Sequence, residues 1–172
     1  MSSPTRSACA QSTCNSGDSP FRSSIALAIG LAVIGHFFWE AAQLPLYTLW
    51  RIGTPREIAL ALFHCTGGDV LITTATFAAA VALARRFRWP PFGRRMVFTA
   101  IVLGAGYTIF SEWLNVEIRH SWSYTAAMPV LPVLGTGLAP LLQWLVVPGL
   151  ALAIIGYRYR RRAPGSRGPT SP

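Results

Sequence analysis

"GHFFWEAAQLPLY" (Gly35–Tyr47) closes an apolar run that opens at Ile25, and it sets His36, Glu40, Gln43 and Tyr47 inside that run. Residues spaced i, i+4, i+7 and i+11 share one face of a helix. These four have that spacing, and Pro45 falls on the opposite side. A carboxylate in a membrane-spanning helix costs about 2.5–3.5 kcal/mol on insertion scales, so residues that bear the cost face a bundle interior or a wet cavity. The stretch therefore reads as the inward face of a spanning helix.

The rest of the chain agrees. Of 172 residues, 52% are apolar and only 12% are charged, about half the charge usual in a soluble domain. Four apolar segments run roughly over 25–49, 57–84, 96–116 and 133–157, each near the ~20 residues that cross a ~30 Å hydrocarbon layer. Backbone in lipid must satisfy its own hydrogen bonds, so segments of this length are helices. The expected fold is all-α: a polytopic membrane protein, a four-helix transmembrane bundle between disordered tails. Pro140 and Pro148 should kink the fourth span.

The net charge of +9 comes from fifteen arginines and no lysine. Twelve of them (Arg6, Arg22, Arg85, Arg86, Arg88, Arg94, Arg95, Arg158, Arg160, Arg161, Arg162 and Arg167) fall on the side of the two termini. Only Arg51, Arg56 and Arg119 fall on the other. The positive-inside rule then places both termini in the cytoplasm, as for a multi-pass protein of a bacterial inner membrane. The arginines lack the aromatic interleaving of nucleic-acid readers, which excludes nucleic acid as the expected partner. Contact of the clusters with anionic lipid is a side effect of topology.

Residues 1–24, "MSSPTRSACAQSTCNSGDSPFRSS", are Ser-rich and read as a disordered cytoplasmic tail. The apolar run behind them is too long for a signal peptide and reads as a retained anchor. Cys9 and Cys14 read as free thiols rather than a metal site. Residues 158–172 read as a basic cytoplasmic tail.

Polar stripes recur on the other spans. Cys65, Asp69, Thr73 and Thr76 share a face of the second, with His64 beside it. Gly67 and Gly68 would let another helix approach closely. Gly104, Thr108, Glu112 and Asn115 share a face of the third, and Gln143 and Trp144 are the hydrogen-bonding side chains of the fourth. At about 1.5 Å per residue, His36 and Asp69 reach the midplane, with Glu40, His64 and Glu112 some 6–10 Å nearer the non-cytoplasmic surface. The loop "VEIRHSWSYTAAMPVLPVLGTG" should cap that layer as a lid or re-entrant segment, Pro129 and Pro132 opposing a continuous helix.

His36, Glu40, His64, Asp69 and Glu112 are thus the candidate catalytic residues, and Gln43, Tyr47, Thr73 and Asn115 the candidate cavity lining. His36 and Glu40, with His64, are also the candidate metal ligands, since a His and a carboxylate at i, i+4 can reach one ion. The second histidine of H-E-x-x-H is missing. Glu40 bonded to His64, Thr or Asn as plain interhelical glue is the competing reading, and Glu117, Arg119 and His120 read as a wet loop. Three functions fit. One is a membrane-embedded enzyme or a binder of lipid or a small molecule. The second is a small proton-coupled transporter, and the third an accessory subunit of a membrane complex. Membrane lipids are the expected partners, with a second copy of the chain or a larger complex as further ones. Two histidines permit haem ligation, although no haem motif is present.

Overall fold

The computed structural model describes residues 18–132 and 135–162. Among them the chain forms helix α1 (Asp18–Gln43), a 3-10 turn (Leu44–Leu46), the short α2 (Leu49–Ile52), α3 (Pro55–Arg86), α4 (Arg94–Trp113) with a π turn (Leu114–Ile118), and α5 (Leu138–Arg162). The fold is all-α. Four helical stretches, 20–46, 55–86, 94–118 and 138–162, are long and apolar enough to cross a membrane, as fits an integral membrane protein.

Local chemistry explains the helix ends. Pro45 cannot continue a helix and disfavours α backbone at Leu44, so α1 stops at Gln43 and the chain tightens into the 3-10 turn. Thr54 opens α3 with a capping box. Its backbone N–H donates to Glu57 Oε2 at 2.8 Å, its hydroxyl accepts from Glu57 N at 3.4 Å, and Pro55 takes the first position. The turn from α3 to α4 contains Arg88 and Phe92, both at positive φ.

Several boundaries differ from the sequence reading. α1 begins at Asp18, inside the stretch read as disordered, because Pro20 is compatible with a first helical turn; the reading of residues 1–17 lies outside the described residues. α5 starts at Leu138 and continues to Arg162, so Arg158–Arg162 are helical rather than tail. Pro140 lies in its first turn, where no N–H is required, and only Pro148 sits inside the helix.

The spanning helices form a ring in which α1 packs on α3 and α5, and α4 packs on the same two. Every neighbouring pair is antiparallel. At the arginine-rich end the ring is filled by Ala28, Phe77, Ala80, Ala84, Met96, Ala100, Leu152 and Ile155, with Phe92 tucked beneath. Alanines at these contacts let helices approach closely. Outward, side chains such as Ile34, Phe38, Phe63, Leu71 and Phe98 are exposed, which lipid accepts and water would not. The other half of the ring is not filled by apolar side chains, and the candidate site lies there.

Candidate functional site

A cavity of about 310 Å³ lies between the four spans. Glu40 and Gln43 of α1, His64, Cys65, Gly68 and Asp69 of α3, Ser111 and Glu112 of α4, and Gln143 and Trp144 of α5 line it. Tyr47, Asn115, Arg119 and Trp122 complete the wall from the connecting segments. His64, Gly68 and Arg119 are exposed at its rim, whereas Glu40, Gln43, Glu112 and Gln143 are buried.

Gln143 is the hub. It is 1% exposed, and its Nε2 donates to Asp69 Oδ2 at 2.7 Å and to His36 Nδ1 at 2.9 Å. Its Oε1 accepts from Gln43 Nε2 at 3.4 Å, and the same Gln43 nitrogen donates to Glu40 Oε1 at 2.7 Å. With Nδ1 accepting, His36 carries its proton on Nε2 and donates it to Thr73 Oγ1 at 2.9 Å. The tautomer and both amide orientations are assigned by this network, since reversing either amide sets oxygen against oxygen or donor against donor. The Glu40 and Asp69 carboxyls both face the cavity.

Glu112 is held from the loop. Tyr124 donates its hydroxyl proton to Glu112 Oε2 and accepts the Gly137 N–H at 2.9 Å. The Tyr124 ring packs 5.5 Å from that of Tyr47, and the two residues form an isolated antiparallel bridge. Burial, with the Glu112 carboxyl it serves, pushes the Tyr124 phenol above its ordinary range. Thr48 N donates to Ser123 O at 3.0 Å and Thr125 N to Leu46 O at 2.9 Å. The loop is thereby stitched to the segment after α1, with no helix among its described residues after the π turn. Asn115, in the π turn, donates to Ser111 O at 2.8 Å.

The structure thus brings Glu40, His64, Asp69 and Glu112 to one cavity, with Gln43, Tyr47 and Asn115. His36 and Thr73 lie behind its wall. His36 is 0% exposed, turns to Thr73 and Gln143, and stands 3.6 Å from Asp69 Oδ2 rather than pairing with Glu40. Two neighbours explain the split: α3 and α5 meet His36, whereas Gln43 of the same helix reaches Glu40. Glu40 accordingly bonds Gln43 and not His64. Among the described residues no three of His, Cys, Asp and Glu gather closely enough to hold an ion, so His36, Glu40 and His64 do not form a ligand set. Gly67 and Gly68 admit no helix, for nothing lies within 4 Å of an added Cβ at either. The close approach is at Gly104, where an added Cβ would collide with the Trp144 ring.

Sequence reasoning named Gln143 only as a hydrogen-bonding side chain and gave Tyr124 no part in the site. Gln143 is the one amide on the fourth span, a signal that could have marked it as the partner of three polar stripes. Comparison of the chain with protein-family models, with curated proteins and with solved structures gives no match.

Proposed function

We propose that this integral membrane protein is a receptor or membrane-embedded enzyme for a small polar molecule or a lipid head group, bound in the cavity between its spans. One observation carries the reading: carboxyls from three spans and an amide from the fourth line a single cavity of about 310 Å³. That volume is at the lower end of ligand pockets and suits a compact group. Interhelical glue alone would close such residues onto one another and leave no room. The charge asymmetry of the loops supports cytoplasmic termini and a cavity facing the far side.

A proton-coupled carrier is the second reading. That Glu40 and Asp69, carboxyls on two neighbouring spans, face one cavity favours it. The apolar plug of Phe77, Met96, Leu152 and Ile155 below the cavity disfavours it, since a pathway would need a second conformation. Native mass spectrometry of the purified chain tests the first reading. A small molecule or lipid should accompany the wild type and be lost from Asp69→Asn. Proton-driven uptake into proteoliposomes, abolished by the same substitution, would instead establish the carrier.

A further inference from the structure

The cavity is acidic: three carboxyls face it, against a single arginine, Arg119, exposed at its rim. The Glu40, Asp69 and Glu112 carboxyls face it from three helices. Several donors around these carboxyls are already committed. Both Gln143 N–H groups serve His36 and Asp69, the Gln43 amide nitrogen serves Glu40 and Gln143, the Tyr124 hydroxyl serves Glu112, and Asn115 serves Ser111. The buried indole N–H of Trp122, also in the wall, is without a hydrogen-bond partner. An acceptor is orphaned too: Gln43 is 5% exposed and lines the cavity, and its Oε1 has no hydrogen-bond partner. Turning the amide over does not remove the problem, because its oxygen would then oppose Glu40 Oε1 and Gln143 Oε1. A buried acceptor of this kind calls for a donor.

The missing group must therefore bring N–H or O–H donors and positive charge. A bare metal ion fits poorly, because no three ligating side chains converge among the described residues and the space greatly exceeds an ion. A quaternary ammonium has the charge but no hydrogen to offer Gln43. A primary ammonium offers three donors on one cationic centre, and the Trp144 and Tyr47 rings in the wall add surfaces on which a cation rests. We propose that the cavity binds a primary ammonium group, carried either by an aminoethyl phospholipid head group or by a soluble alkylamine. This rests on the reading of the cavity as a binding site.

Cys65 lines the same cavity and reports on it directly. The full chain, with Cys9→Ser and Cys14→Ser, is placed in phosphatidylcholine nanodiscs and the rate of Cys65 modification by N-ethylmaleimide is followed. Hexylamine at ten times its Kd should slow the reaction about tenfold, whereas hexanol leaves the rate unchanged. Discs containing phosphatidylethanolamine, with no added amine, show the same protection if the lipid is the source and none if a soluble amine is. Glu40→Gln should abolish the protection, and Glu112→Gln, on a separate helix, serves where the first variant does not fold. Equal protection by hexanol, protection by calcium alone, or no protection by either amine source overturns the ammonium assignment while leaving a reachable cavity. A Cys65 that does not react at all removes the binding cavity itself, and this inference with it.

Discussion

At the scale of single residues, Tyr124 does two jobs with one oxygen. It donates to the buried Glu112 and accepts from Gly137, so it ties α4 to the end of the capping loop. A hydrogen bond to a charged group contributes about 1.5–3 kcal/mol, and Tyr124→Phe should lower stability by roughly that amount at neutral pH. The pH dependence has a definite sign. The folded phenol titrates above its unfolded value of about 10. Its contribution is thus complete below about pH 10 and is lost as pH rises through the folded pKa. Thermal unfolding of detergent-solubilised protein should show a gap between wild type and Tyr124→Phe that is constant from pH 6 to 9 and narrows above 10. A gap that widens with pH would contradict the bond. Tyr47 stays in both proteins, so its own titration cancels. None of this was legible beforehand, because nothing in the spacing of "WSYTAAMP" says which carboxyl a loop phenol will meet. Glu40, Asp69 and Glu112 were legible for the opposite reason, since a carboxyl deep in an apolar run has few places to go.

At the scale of helices, the spans could be read from length and apolarity, while the packing between them could not. The stripes of α1, α3 and α4 announced inward faces through the 3.6-residue period. Which glycine allows close approach depends instead on the partner's side chain. Gly104 on α4 lies flat against the Trp144 ring of α5, whereas Gly68 on α3 borders open space. Replacing either by alanine gains the same helix propensity, about 1 kcal/mol. Gly104→Ala must also displace a buried tryptophan, and overpacking of that kind costs about 1–3 kcal/mol. Gly104→Ala should therefore unfold at a lower temperature than wild type, and Gly68→Ala at the same or a higher one. Equal midpoints for the two variants would mean that α4 and α5 do not meet at this point. The α1 boundary carries the same lesson in one dimension. Hydropathy ran the first span on to Leu49, but its α-helix stops at Gln43, ahead of Pro45, and the helical stretch ends at Leu46, a covalent constraint that outweighs an apolar composition.

For the whole molecule, the two ends of the ring differ in both charge and content. Apolar packing fills the end that carries Arg22, Arg85, Arg94 and Arg158, and the cavity occupies the end that carries only Arg51, Arg56 and Arg119. If arginine retention sets the topology, the cavity faces away from the cytoplasm and the loop from Arg119 to Gly137 caps it from outside. This orientation is separable from the cavity chemistry, because inverting the chain leaves every internal contact intact. A version lacking Cys9, Cys14 and Cys65 can carry a single new cysteine, either at the exposed Ala127 of the capping loop or at the exposed Arg88 of the opposite turn. In intact bacterial spheroplasts, a membrane-impermeant maleimide should label Ala127→Cys and leave Arg88→Cys untouched until the membrane is opened. The reverse pattern would put the cavity on the cytoplasmic side, where any lipid it holds must come from the inner leaflet. Labelling of both from outside would break the four-span topology, since an even number of crossings between those positions is incompatible with the single span α4 that separates them.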